Sequence, residues 1–118
     1  MKYTDEQHIE KIISYTDKLL DYLKEKDITR EVIDKDETVR WAVTTPLYNI
    51  GEHSYNLSSE YRGAHSEVPW AKISGLRHRL VHDYEDTNWN IISDIIFNVL
   101  PEFQKQLQEI KNGTTEEK

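Results

Sequence analysis

Three side chains in the second half of the chain could carry out chemistry on a phosphate. Arg77, His82 and Tyr84 form an R-x4-H-x-Y string. A guanidinium is the side chain best shaped to hold a phosphate, and an imidazole is the one best suited to move protons near neutral pH. A permanent cation, a titratable ring and a phenol at this spacing therefore suggest phosphodiester chemistry without a metal.

The composition predicts a single soluble domain. The chain has 118 residues, of which 36% are apolar and 31% charged, and no run approaches the roughly 20 apolar residues that a membrane helix needs. Because it has no cysteine and its N-terminus is too polar for a secretory signal, we expect a cytoplasmic protein without disulfides or membrane contact. We expect the domain to span residues 1–111 and a flexible tail to follow at 112–118.

The net charge limits how the chain could bind a nucleic acid. With 15 Lys and Arg against 22 Asp and Glu, the formal charge is -7, whereas RNA binding depends mostly on cationic surface that displaces counterions. Any RNA contact must therefore be local. A local basic cluster does exist, and its members are Lys72, Arg77, His78, Arg79 and His82. An acidic surface around one basic cluster would equally suit a protein partner.

Hydrophobic periodicity predicts helices in the first half of the chain. A capping box at residues 4–7 begins a helix over about residues 4–26, and a short turn of helix follows at 30–33. A second long helix is expected over about residues 36–61. Pro46 lies inside it, and because proline removes a backbone donor we expect a kink there rather than a restart.

The second half continues the helical pattern. Pro69 at the first helical position predicts a third helix, which carries Trp70 and Val81 inward, and a fourth is expected over about residues 89–111 with a bend at Pro101. Alternating strand patterns and Gly-rich loops are missing from the sequence. The predicted fold class is therefore all-α: an antiparallel helical bundle of four main helices plus a short connecting helix.

Regular helix geometry does not align the three motif residues. Arg77 and Tyr84 are seven residues apart and share a helix face, whereas His82 is about 140° from Arg77 at 100° per residue. If the third helix ends near His82, the imidazole is free of this constraint. We therefore expect the site at a helix end.

Four short motifs resemble the HepT-like group of HEPN proteins. They are Ile50-Gly51-Glu52, Val68-Pro69-Trp70, Ser74-Gly75-Leu76-Arg77 and His82-Asp83-Tyr84. The combination is specific, although R-x4-H alone occurs by chance in many proteins. The resemblance implies an all-helical homodimer in which Arg and His of both subunits line one cleft. It also implies a metal-independent endoribonuclease, acting on an RNA such as tRNA or mRNA, that is the toxin of a type VII-like toxin-antitoxin pair.

Carried over by position, the resemblance makes Arg77 and His82 catalytic. Tyr84 matches the tyrosine to which a minimal nucleotidyltransferase antitoxin adds AMP, which silences the toxin. His78 departs from the family, in which asparagine is more usual, so the division of acid and base roles between His78 and His82 stays open. Glu52 would support the site by orienting Arg77 or a histidine. No cofactor is implied.

Each of these residues also has a simpler explanation. Arg77 could form a surface ion pair, His82 could cap a helix, Tyr84 could pack against the bundle, and Glu52 could be an ordinary helix carboxylate. His78 and His82 are four residues apart, but no H-E-x-x-H string or suitably spaced carboxylate accompanies them. We therefore expect no metal site.

The main functional alternative is a non-catalytic HEPN subunit that binds substrate for a nucleotidyltransferase or regulates it. The pair of Arg77 and His82 favours the nuclease, because a binding module has no chemical reason to keep the two together. We interpret the other histidines, His8, His53 and His65, as structural or surface residues. The tryptophans are interpreted as core or interface anchors rather than as stacking surfaces for RNA bases.

Overall fold

The chain folds into helices, as the hydrophobic pattern predicts. The computed structural model describes residues 2–81 and 86–116, and for residues 114–116 the backbone alone. The helices are Asp5–Glu25 (α1), Arg30–Lys35 (α2), Glu37–Tyr55 (α3), Ser59–Ala64 (α4), Trp70–Val81 (α5), Trp89–Asp94 (α6) and Leu100–Glu116 (α7). These described ranges contain no strand. None of the helices in them is long and apolar enough to cross a membrane.

Side-chain caps set the boundaries of the first three helices. The predicted capping box is confirmed: the Gln7 backbone N–H donates to Thr4 Oγ1 at 3.1 Å, and the Thr4 N–H donates to Gln7 Oε1 at 2.8 Å. At the start of α2 the Thr29 side chain accepts the Val32 N–H, and at the start of α3 Asp36 accepts those of Thr38 and Val39. After α1, Asp27 takes a positive φ of 51°, a conformation that aspartate tolerates better than most residues.

The second long helix is shorter than the pattern predicts. α3 continues through Pro46 without a restart and ends at Tyr55, so the expected extension to residue 61 is wrong. A separate short helix, α4, begins after Ser58, whose hydroxyl accepts the backbone N–H of Tyr61. A local cap therefore overrides the apolar stripe on which the longer helix was predicted.

The last two α-helices form one continuous rod that contains a π-helical turn at Ile95–Val99. In this turn the N–H of Leu100 donates to the carbonyl of Ile95, five residues back. The irregularity lies directly before Pro101, where a bend was expected and where proline has no N–H to donate. The helix continues past the expected end at residue 111 to Glu116. The division into a domain and a flexible tail stays a prediction.

The long helices bury one common core. α1 packs against α3 and α7, and α3 also packs against α5. The fully buried side chains include Ile12, Val43, Leu47, Ile50, Ile73, Leu76, Leu100, Phe103 and Leu107. α1 and α3 run antiparallel, because Asp5 bonds Ser58 while His8, one turn later, bonds His53, several residues earlier.

Two large apolar residues lie outside this core. Val81 was expected to point inward with the rest of α5, but it is 53% exposed. The reason is helical geometry: Val81 follows Arg77 by four residues and so shares its solvent-facing side. Trp41 on α3 is 52% exposed, and within one chain it is therefore not a core anchor.

α3 and α5 come into close contact at Gly51. A Cβ atom added there would lie 2.8 Å from the backbone nitrogen of Arg77 and 3.1 Å from the carbonyl oxygen of Ile73. Both neighbours are helix backbone, so neither can swing aside. Only glycine allows the two helices to approach this closely.

We predict that Gly51→Ala destabilises the fold, whereas Gly75→Ala on α5 does not. Overpacking costs about 1–3 kcal/mol, of which roughly 1 kcal/mol is returned by the better helix propensity of alanine. Gly75 is a matched control, because a Cβ there would meet nothing within 4 Å. Urea unfolding of both variants measures the difference. Equal free energies of unfolding would contradict the proposed contact.

Candidate active site

Arg77 and Glu52 form the polar contact between α5 and α3. Arg77 Nε donates to Glu52 Oε1 at 2.6 Å, and the side chains are 33% and 34% exposed. The contact follows directly from the helix approach at Gly51, because Glu52 is the next residue along α3. Since this bond uses only Nε, the N–H groups on the two terminal nitrogens of the guanidinium are not taken up by it.

The neighbouring residues of α3 hold this pair in place. The Tyr55 ring lies beneath the guanidinium, with 4.3 Å between Arg77 Cζ and the ring centroid. Asn56 Nδ2 donates to Glu52 Oε2 at 3.2 Å, and the Tyr48 hydroxyl lies 3.4 Å from Glu52 Oε1. Each carboxylate oxygen of Glu52 therefore has a donor, and the guanidinium has both a hydrogen-bond partner and a flat surface that fix its orientation.

This hydrogen bond keeps both partners charged. The bond from Arg77 is the largest cause of the lowered pKa of Glu52, and the same bond raises the pKa of Arg77. A partly exposed ion pair contributes little to stability. Its main effect here is geometric, since it positions a permanent cation at the protein surface.

The other predicted site residues are less fully defined. His78 follows Arg77 on α5 and is exposed. His82 and Tyr84 lie outside the described residues, so the expected position of the imidazole at a helix end stays a prediction. Among residues 2–81 and 86–116, no group of three or more His, Asp and Glu side chains could hold a metal ion.

The basic cluster seen in the sequence is divided between two faces of α5. Arg77 faces Glu52, whereas Lys72 and Arg79 line a separate groove of about 890 Å³ next to the π-helical turn. The cause is the helical repeat, because Arg79 lies about 200° around the helix from Arg77. Arg77 is therefore not part of a continuous basic surface with these two residues.

A second polar contact joins α3 to α1 beside this site. The Nδ1 atoms of His8 and His53 lie 3.0 Å apart, and both side chains are buried. The Tyr3 ring packs edge-on against both imidazoles, with centroids 5.3 Å and 5.5 Å away, and Tyr15 stacks on His53. The sequence predicted structural or surface roles for these two histidines, and it gave no sign that they form a buried pair.

Burial favours the neutral form of both histidines. Desolvation is the largest cause of the lowered pKa of both His8 and His53. For His8 the negative charges of Asp5 and Glu52 oppose this effect. For His53, Lys11 and the protonated form of His8 reinforce it, and Glu52 opposes it. A neutral pair can share one proton along the line between the two Nδ1 atoms.

Part of this arrangement could have been found from the sequence. Tyr48, Glu52 and Asn56 are four residues apart, and Tyr55 follows Glu52 by three, which places all four on one side of a helix. The pairing of His8 with His53 has no such local signal, because it depends on how α1 packs against α3.

Comparison with known proteins identifies the family. The sequence model of one family, Ribonuclease HepT-like, matches residues 6–110. A protein of Caldanaerobacter subterraneus subsp. tengcongensis is 36% identical over 107 residues, which cover 91% of this chain and 94% of that protein. A protein of Methanocaldococcus jannaschii is 36% identical over 84 residues, which cover 71% of this chain and 69% of that protein. Both are named "Putative RNase".

A further relative, "Probable ribonuclease HepT" of Thermococcus cleftensis, is 23% identical over 90 residues, which cover 73% of this chain and 82% of that protein. No solved structure gave a significant match. The chain therefore belongs to the HepT-like ribonuclease family, which confirms the resemblance to HEPN proteins of this group. This membership supports ribonuclease activity.

We predict that stability falls as the pH is lowered from about 7 to 5. The unfolded chain takes up protons at an ordinary histidine pKa of about 6.5, whereas the folded state resists protonation of His8 and His53, so acid favours unfolding. The slope is at most about 1.4 kcal/mol per pH unit for each proton. Urea unfolding across this range should show a smaller slope for a His8→Gln/His53→Gln double variant.

His65→Gln serves as the control for this measurement, because the His65 ring packs against Tyr61, with 4.6 Å between the centroids, and is not part of the pair. A double variant with the same pH slope as the wild type would contradict the assignment of the slope to the pair.

Proposed function

We propose that the protein is a metal-independent endoribonuclease whose site is built around Arg77. The observation that carries this proposal is a partly exposed guanidinium held by Glu52 through Nε and stacked on Tyr55. A cation fixed in this way can bind a phosphate with its terminal N–H groups and needs little reorganisation as charge develops during reaction. Membership of a ribonuclease family supports the same conclusion.

The proposed reaction uses the RNA's own 2′-hydroxyl as the nucleophile. A base takes the hydroxyl proton as the new O–P bond forms, and an acid protonates the 5′-oxygen as the old P–O bond breaks. A cation stabilises the negative charge on the phosphoryl oxygens. We assign the base and the acid to His82 of two subunits, with His78 as the alternative, and the cation to Arg77. The products are a 2′,3′-cyclic phosphate and a 5′-hydroxyl.

We further propose that the active form is a homodimer. Large apolar side chains are exposed around Arg77: Tyr55 lies beneath it at 52% exposure, and Val81 follows it by one turn of α5. Trp41 is exposed on α3 two heptads before Tyr55, and so on the same stripe of the helix. A second copy covering this surface would remove these apolar groups from water and bring two Arg77 side chains toward one cleft.

In the proposed biological setting, the protein is the toxin of a toxin-antitoxin pair in the cytoplasm. Its antitoxin would be a minimal nucleotidyltransferase that adds AMP to Tyr84. The added phosphate would carry negative charge, and we propose that it competes with RNA for the guanidinium of Arg77. The substrate would be a cellular RNA such as tRNA or mRNA.

We predict that purified protein cleaves RNA in EDTA and that Arg77→Ala lowers the rate by about 100-fold or more, because a charge-stabilising group is lost. His82→Ala should lower it by about 10²- to 10⁴-fold through loss of proton transfer. Arg79→Ala is the matched control, because Arg79 is also an arginine of α5 but lines the groove next to the π-helical turn. Gel analysis of total RNA, with mapping of the RNA ends, measures both rate and products.

Equal cleavage by all four proteins, or dependence on added metal, would contradict the proposal. RNA binding without cleavage by unmodified wild type would instead support the non-catalytic HEPN subunit.

We predict that co-expression with the proposed nucleotidyltransferase antitoxin adds one AMP to Tyr84 and abolishes cleavage. Peptide mass spectrometry locates the modification. Tyr84→Phe should escape it, whereas Tyr55→Phe, which alters a tyrosine beside Arg77, should still be modified. AMP on a residue other than Tyr84 would contradict this part of the proposal.

A further inference from the structure

A cleft of about 440 Å³ lies beside the Arg77 site, between the start of α1 and the end of α3. This volume is within the roughly 300–1,000 Å³ that is usual for pockets that bind small molecules. Its lining is mostly polar and aromatic: Lys2, Tyr3, His8, Glu52, His53 and Asn56. Neither the ion pair nor the proposed chemistry accounts for a space of this kind.

Glu52 connects this cleft to the guanidinium. One of its oxygens accepts from Arg77 Nε and the other from Asn56 Nδ2, and Glu52 and Asn56 both line the cleft. A phosphate held by Arg77 would therefore lie near the cleft, with Glu52 between the two. The nucleotide attached to that phosphate is the part of an RNA nearest to the space.

The paired imidazoles offer this nucleotide a defined hydrogen-bonding pattern. In a neutral pair, one ring donates its Nδ1–H to the bare Nδ1 of the other. The donating ring then has a bare Nε2, and the accepting ring has an Nε2–H. The pair thus presents one acceptor and one donor, which is the kind of complement that the edge of a nucleobase requires.

An aromatic ring and one lysine complete the lining of the cleft, and a second lysine lies against that ring. Tyr3 is 39% exposed and packs edge-on against both imidazoles, so its ring can also contact a base. Lys11 Nζ lies 5.9 Å from the centre of this ring, and Lys2 lines the cleft. In a chain with a net charge of -7, Lys2 in the cleft and Lys11 at the Tyr3 ring add positive charge beside Glu52, which is itself held by Arg77.

We propose that this cleft binds the base and sugar of the RNA nucleotide next to the cleaved phosphate, with His8 and His53 determining which base is accepted and Tyr3 as its stacking surface. The proposal rests on the proposed ribonuclease function and adds the substrate subsite to it. It predicts that RNA is cut beside a preferred base. The residues that select this base, His8, His53 and Tyr3, lie far from the R-x4-H motif in the sequence.

The first test measures binding without cleavage. The probe is a short RNA whose 2′-oxygens are all methylated, so that it has no nucleophile, and the readout is the NMR signals of the imidazole groups in the full-length protein. Saturable shifts of the His8 and His53 signals support the subsite. Tyr3→Ala should weaken binding by about 5- to 150-fold, the usual effect of removing one stacked ring.

Charge at the cleft is tested by a matched pair of variants on α1. Lys11→Ala removes the ammonium near Tyr3 and should weaken binding of the methylated RNA. Lys18→Ala removes an exposed ammonium two turns along the same helix and should leave binding unchanged. Equal affinities of the two variants would count against the cleft as the binding site.

The second test reads the sequences at which total RNA is cut. His53→Gln moves the donor and acceptor groups and should change the base preferred beside the cut, an effect that a merely structural role would not produce. Tyr3→Ala, at an exposed position, provides the same readout if His53→Gln does not fold. An unchanged preference in both folded variants would overturn the proposal.

The two tests also separate the failure of the subsite from the failure of the nuclease. If the wild type binds the methylated RNA with shifts at His8 and His53 but cuts no RNA, the subsite is supported and the proposed ribonuclease activity is contradicted. If the wild type cuts RNA while these NMR signals do not move, the ribonuclease activity is supported and the subsite is contradicted.

Discussion

The close contact between α3 and α5 at Gly51 is the constraint on which the candidate site depends. With no side chain at this position, the backbone of α3 can lie against the backbone nitrogen of Arg77. The next residue, Glu52, then reaches the guanidinium at 2.6 Å, and Tyr55 reaches its flat face one turn later. A helix contact of this kind positions a charged side chain more accurately than a loop would, because both supporting elements are rigid.

α3 also joins this site to the N-terminal part of the chain. Neighbouring residues on it contact different helices, since Glu52 bonds Arg77 on α5 while His53 bonds His8 on α1. The two contacts differ in their electrostatics: the first is a charged pair at the surface, and the second is a pair whose burial favours the neutral form. Together they place a fixed cation beside a polar cleft in a chain that is otherwise acidic.

Local patterns predicted most of the helices, because capping and hydrophobic periodicity act within a few residues. The capping box at residues 4–7 and the proline before Trp70 both begin helices where expected. Val81 was wrongly assigned to the core because it follows the buried Leu80 in an apolar pair, although it lies four residues after Arg77 and shares the solvent-facing side of α5. The pairing of His8 with His53 could not be predicted, since it depends on tertiary packing.

The central claim is that the helix contact at Gly51 positions Arg77 for RNA cleavage. The most direct test compares the RNA cleavage rates of Gly51→Ala and Gly75→Ala in EDTA, at a temperature where circular dichroism shows both to be folded. We predict that Gly51→Ala loses most of its cleavage, because α3 and α5 must move apart, and that Gly75→Ala cleaves like the wild type. Equal rates for the two folded variants would contradict the account.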